Sequence, residues 1–256
     1  MLPFSKPPSA HAADFTTREI VSALFKATPG SAPDLAGKNL SRLDLAEIDF
    51  KQANLRGANL FGADLSTANL SKADLSGAVL DRATIARTNF TGANLSGASI
   101  LRPNIFSQLA ALPNETPDFA SANLVDAQLS GRFDLTSFRG ADLARARFGP
   151  KDPRSEELIT GRVEVRMCDF SDANLEGANL RRTGAEYAKF TRANLRDANF
   201  AQAILKGADF SEADVAGADF TGANLDGALF TGAKGLERAV GLQEGLRGDQ
   251  AAQPPQ

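Results

Sequence analysis

Residues 53–75 read ANLRGANLFGADLSTANLSKADL. A large apolar side chain falls on every fifth position: Leu55, Leu60, Leu65, Leu70 and Leu75. Outward from this stretch the same beat holds from Leu35 to Ile105, and it returns from Val165 to Phe230. Between those runs a shorter one holds Phe119, Leu124 and Leu129, then slips by one residue to Phe133, Phe138, Leu143 and Phe148. About thirty-six units obey the rule. A repeat of this density decides the architecture before local propensities are weighed.

A period of five suits neither regular structure. In an α-helix five residues rotate about 500°, so an apolar stripe would drift by about 140° per unit. In a strand five is odd, so successive apolar residues would face opposite sides. A chain that keeps every fifth side chain inside must therefore turn a corner once per unit. The other positions suit that geometry. With the apolar residue called i, position i−2 is usually alanine (Ala53, Ala58, Ala63, Ala68, Ala73), small enough to tuck in beside it. Position i−1 is usually Asp or Asn, whose short side chains bond nearby backbone in turns. Position i+2 is often glycine, which tolerates positive φ.

The length of one coil is also readable. Phe170, Phe190, Phe210 and Phe230 recur every twenty residues, with Phe200 and Phe220 between them, while Leu175, Leu195, Leu205, Val215 and Leu225 are aliphatic. This alternation requires an even number of units per coil. Asp172, Arg192 and Glu212 alternate in sign at the same spacing, as do Glu186, Lys206 and Asp226. With twenty residues per coil these would form charge ladders with rungs about 4.8 Å apart, in which opposite neighbours help modestly.

The A-(D/N)-(L/F)-x-x pattern resembles the pentapeptide-repeat family over about residues 33–105, 117–148 and 163–233. The resemblance implies an all-β solenoid, a right-handed quadrilateral β-helix with four pentapeptides per coil. At about 4.8 Å per coil, about nine coils would make a rod of about 43 Å.

Open solenoid ends expose unpaired edges and call for caps. Thr16 and Glu19 form a capping-box pattern, and Phe15 with Ile20 has hydrophobic-staple spacing. Ile20, Val21, Leu24 and Phe25 make an apolar helical face, and Pro29-Gly30 ends the helix. The expected organisation is a disordered leader at 1–15, an N-terminal capping α-helix at 16–30, and the β-helix at 31–235. The β-helix is interrupted at 106–117 and 149–162. A short C-terminal cap and disordered tail follow at 236–256, in which Leu236, Val240 and Leu246 are broken by Gly241 and Gly245. Loops leaving a rigid scaffold are natural partner sites, but drifted repeats with no partner are the favoured reading of the two interruptions.

The candidate chemistry is sparse. The one histidine, His11, lies in the leader, which leaves no Ser/His/Asp or Cys/His set. The one cysteine, Cys168, sits at an inward i−2 position and reads as a buried structural thiol. Asp at i−1 (Asp64, Asp74, Asp209, Asp219) interchanges with Asn, which argues against a required metal charge. Asn114-Glu115-Thr116 matches a glycosylation acceptor. No catalytic, cofactor-binding or metal residue is assigned, and an enzyme is not expected.

Net charge is −3, with 43% hydrophobic and 23% charged residues. That is not a basic nucleic-acid footprint, and no apolar run approaches the roughly 20 residues of a membrane-spanning helix. The expectation is a non-catalytic structural or protein-interaction module whose partner is unidentified, with homodimerisation left open. The resemblance also raises DNA mimicry against DNA gyrase. Such mimicry needs a strongly negative duplex-like surface. Residues 33–107 instead carry 8 Lys/Arg against 7 Asp/Glu, and Arg42, Arg82 and Arg102 share one column. A third reading is a periplasmic or envelope protein. Ala10-His11-Ala12 resembles a signal-cleavage site, but residues 1–9 lack the apolar run such a signal needs. The sequence as written favours the cytoplasm, and an upstream signal would favour the periplasm.

Overall fold

The structure, a computed structural model, describes residues 13–27, 33–50, 52–106, 115–149 and 162–242. Its backbone is a solenoid of parallel bridges. Asp34 pairs with Asn54, Asn39 with Asn59, Asp44 with Asp64 and Asp49 with Asn69, each twenty residues on. Four columns of rungs therefore run along the molecule, one per pentapeptide, and the cross-section is a quadrilateral. Each rung makes two bonds to its neighbours. Leu55 N–H donates to Asp74 O at 2.7 Å, and Gly57 N–H donates to Ser76 O at 2.8 Å.

Corners are β-turns. At the first of those in 53–75, Ala58 N–H donates back to Leu55 O at 3.0 Å, and the second central residue, Gly57, is left-handed at φ +60°. Glycine is not obligatory there. Arg42, Lys72, Arg192 and many other non-glycine residues hold the same conformation, at a cost of about 1–2 kcal/mol each. The ladder bonds and core offset this. Every i side chain from Leu40 to Ile100 is fully enclosed with its i−2 neighbour from Ala53 on, and full burial of a Leu or Phe is worth about 1.5–3 kcal/mol.

The Asp and Asn residues do two jobs. Asp34 Oδ1 accepts from Ala36 N–H at 3.1 Å, closing the bend. It also accepts from Asn54 Nδ2, one coil on, at 2.9 Å. Asn69 on Asp49 and Asn194 on Asn174 repeat that link.

The phenylalanine spacing becomes a stack inside the fourth column. Phe90, Phe119, Phe138, Phe170, Phe190, Phe210 and Phe230 lie with rings 4.7–5.1 Å apart and nearly parallel. Phe200 and Phe220 come from the opposite wall and meet them edge-on. The stack crosses both interruptions, so the core is one body. Around the slip, three short strands pair in parallel: β1 (Ser99–Leu101), β2 (Gln128–Ser130) and β3 (Arg147–Phe148).

At the N-terminal end, α1 (Thr17–Lys26) has the expected capping box from Thr16 and Glu19. Asp14 takes the place of an absent rung: its N–H donates to Asn39 O, and its carboxylate accepts from Asn39 N–H, both at 2.7 Å. Ile20 and Leu24 are buried against the first coil, but Val21 and Phe25 are exposed. The expected four-residue apolar face is thus corrected to two. One helix on a narrow rod end presents only the stripe that points inward.

At the other end, Leu236–Arg238 form a 3-10 helix, and Leu236 and Val240 are exposed rather than enclosed. Gly241 follows in the left-handed region at φ +80°, and a Cβ there would meet the Thr221 backbone, so glycine permits the close approach. Leu246, Gly245, Pro29-Gly30 and residues 247–256 lie outside the described residues. No helix among the described residues is long and apolar enough to cross a membrane.

Candidate functional site

The residues singled out by sequence chemistry are structural where they are described. Cys168 is fully buried, and its Sγ donates to Phe133 O at 2.9 Å. Burial pushes the thiol pKa well up, so it is not a reactive thiolate. Among the described residues no group of three His, Cys, Asp or Glu side chains could hold a metal ion. His11 and Asn114 lie outside the described residues. Glu115 of the acceptor tripeptide is buried and paired with Arg87 at 2.9 Å, and Thr116 Oγ1 donates to Leu135 O at 3.2 Å.

The expected charge ladders form in part. Arg192 grips Asp172 through two bonds of 2.7 and 2.8 Å, and Arg145 grips Asp126 likewise at 3.0 and 2.8 Å. These guanidiniums hold both carboxyls below the usual range. Lys206 lies 3.8 Å from Asp226. Glu186, the third member of that ladder, has one buried carboxylate oxygen without a hydrogen-bond partner. It points over Gly184 toward Glu164; a Cβ at Gly184 would meet both carboxylates.

That crowding belongs to a feature not apparent in the sequence. The one-residue slip between Leu129 and Phe133 falls at Gly131, whose φ is +100° and whose would-be Cβ lies 2.9 Å from Arg102 Cα. A cleft of about 460 Å³ lies there, lined by Arg102, Gly131, Arg132, Arg162, Glu164 and Arg166. Arg132 stands where the repeat usually puts Asp or Asn, pairing in its column with Glu164.

The cleft is basic but internally braced. Arg132 Nη2 donates to Asp134 Oδ2 at 2.9 Å, and its guanidinium lies 5.6 Å from the Phe106 ring centroid. Arg166 Nε sits 3.3 Å from Glu164 and 3.7 Å from the largely buried Asp134. Burial raises the Glu164 pKa above the usual carboxylate value; Arg166 and Arg162 oppose the shift, while Glu186 and Asp134 add to it. Beside the cleft, on the next corner, stand Leu135, Met167 and Tyr187, all left-handed. Met167 and Tyr187 are 55% and 52% exposed. Among the described residues they are the large apolar side chains exposed on the flank; the others belong to the rod's two ends.

A family profile agrees with this architecture. The profile of the family described as Pentapeptide repeats matches residues 34–71, 58–97, 168–207 and 193–232, in 8 copies. A search of curated proteins finds no match. Among solved structures the chain is similar to HetL, a pentapeptide repeat protein involved in heterocyst differentiation regulation from the cyanobacterium Nostoc sp. strain PCC 7120. Identity is 25% over 79% of this chain and 86% of that one, with a TM-score of 0.46. A pentapeptide repeat protein from the Arabidopsis thaliana thylakoid lumen is 30% identical over 51% of this chain and 77% of its own, with a TM-score of 0.27. QnrB1, a plasmid-mediated fluoroquinolone resistance protein, is 16% identical over 73% and 94%, with a TM-score of 0.32.

Proposed function

The chain belongs to the pentapeptide-repeat family of right-handed quadrilateral β-helices, and from that premise we propose that it is a non-catalytic protein-interaction rod. The supporting observation is how its side chains are used. Inward positions are consumed by packing, and outward ones form evenly spaced rows that brace one another from coil to coil. Such a surface is rigid before binding, which lowers the ordering cost of association. The rod comprises about nine coils, with residues 16–30 as its N-terminal cap, residues 31–235 as its body and residues 236–256 as a short cap and tail.

Photo-crosslinking amino acids placed at outward rung positions of the four columns test this reading. One recurrent protein adduct confined to one or two columns is expected. Adducts that are absent, or spread evenly over all four, would overturn it. The cap is tested by deleting residues 1–30, which should cause aggregation through the first coil; a soluble monomer would contradict it. DNA mimicry has less support, because the outward columns mix signs, as in Arg145 on Asp126 and Arg192 on Asp172. A gyrase supercoiling assay should show neither inhibition nor quinolone protection.

A further inference from the structure

The interaction reading leaves the partner's chemistry open, and the cleft at the register slip narrows it. Four guanidiniums and one carboxylate line a depression on a protein whose net charge is −3. Guanidinium forks match carboxylates through two parallel bonds, and the rod already shows this pairing at Arg192–Asp172 and Arg145–Asp126. Arg132 and Arg166 are held by Asp134 on their inner side, yet their side chains remain 58% and 45% exposed.

The adjoining corner supplies an apolar contact. A bulky side chain at positive φ is uncommon, and most other corners of the rod carry glycine, small polar or charged residues there. Here Leu135, Met167 and Tyr187 follow one another up a single edge. Tyr187 lies across the next corner, where a Cβ on Gly207 would be 2.6 Å from the ring. Glycine thus lets the ring lie flat on backbone and limits its freedom. Tyrosine and arginine are the residue types that dominate interface hot spots.

We propose that this cleft and its edge form a recognition site for an acidic peptide segment of a protein partner, with carboxylates entering among Arg102, Arg162 and Arg166 and an apolar side chain resting on Met167 and Tyr187. The proposal rests on the interaction reading given above. A single-stranded nucleic acid is the competing occupant, and the displacement arm of the test separates the two.

The probe is a fluorescein-labelled pentapeptide of four glutamates around a central phenylalanine, titrated with the full chain and followed by anisotropy. Saturable binding is expected. Arg162→Glu should weaken it at least about tenfold, as loss and reversal of a paired charge does. The double variant M167S/Y187S should weaken it about fivefold. Arg56→Ser, on another corner, should leave it unchanged, and unaltered thermal midpoints would show that each variant folds. Binding unaffected by either cleft variant, or absent up to about 1 mM, would overturn the site; so would displacement by inorganic phosphate or a single-stranded oligonucleotide at lower concentration than unlabelled peptide. A wild-type chain that crosslinks a partner on a single column but ignores the probe refutes the cleft alone. A chain that binds the probe but crosslinks nothing refutes the wider reading instead.

Discussion

The coils from Val163 to Phe230 and those from Glu115 to Phe148 are built from the same unit, yet they differ in what they present. In the later coils the period never varies, corners keep their length, and outward charges are matched across rungs, as Arg192 is on Asp172 and Arg196 on Asp214. In the middle coils one corner loses a residue at Gly131, and the surface there becomes concave and arginine-lined. The core does not register the difference: the ring spacing from Phe119 to Phe138 is 5.1 Å and that from Phe190 to Phe210 is 4.9 Å. A solenoid can therefore alter its surface at a corner while keeping its interior, because each column needs only one apolar residue per coil, whatever length of chain joins the columns.

The largest effects should fall on that shared interior. Phe138→Ala and Phe190→Ala remove one ring each from the same stack, and each should cost about 3–5 kcal/mol by chemical denaturation. Equal losses sharpen the comparison; a much smaller loss at Phe138 would mean the middle coils are held differently. Next come the corners. Gly131→Ala places a Cβ against Arg102 backbone at φ +100° and should cost about 2–3 kcal/mol. Gly57→Ala, with open space around its Cβ position, should cost about 1 kcal/mol. Similar values at the two glycines would break the argument that the slip is a tight site.

A smaller effect concerns Glu164. Its pKa is raised in the fold above the unfolded value of 4.5, so the native state binds that proton more tightly than the unfolded chain. Stability should then fall as pH rises from the unfolded pKa through the folded one. Glu164→Gln should remove that slope in a series of thermal melts; a slope left intact would show that another group carries it, and a flat wild-type profile would show that Arg166 and Arg162 offset the burial. In the regular coils Asp172 has a lowered pKa, so its contribution is lost as pH falls through the folded value. Being exposed, it should give a change near the limit of detection. Smallest of all, Phe25→Ser should alter stability by less than about 0.5 kcal/mol, since that ring is 85% exposed.

Most of the fold was legible because each inward position is a yes-or-no choice repeated many times. Leu55 and Phe210 are more than six coils apart and obey one rule. The twenty-residue coil was equally legible, since Phe170, Phe190 and Phe210 and the pair Asp172–Arg192 both mark it. The cleft was not. Arg102, Arg132, Arg162 and Arg166 are unremarkable along the chain, and the two interruptions make the spacing between their rungs irregular. The slip from Leu129 to Phe133 was the visible signal, but its consequence depends on the backbone at Gly131 pressing on Arg102. The exposure of Val21 and Phe25 was hidden for a related reason: an apolar stripe shows which face of a helix can be buried, not how wide a surface receives it.

The phenylalanine stack makes the rod one preformed body through both interruptions, so that the cleft exists before any partner arrives. Native-state amide hydrogen exchange tests it most directly. The N–H groups of Phe90, Phe119, Phe138, Phe170 and Phe190 each donate to the next coil, and all five should exchange slowly with the same opening free energy. Exchange at Phe119 and Phe138 that is orders of magnitude faster than at Phe90 and Phe190 would contradict the account.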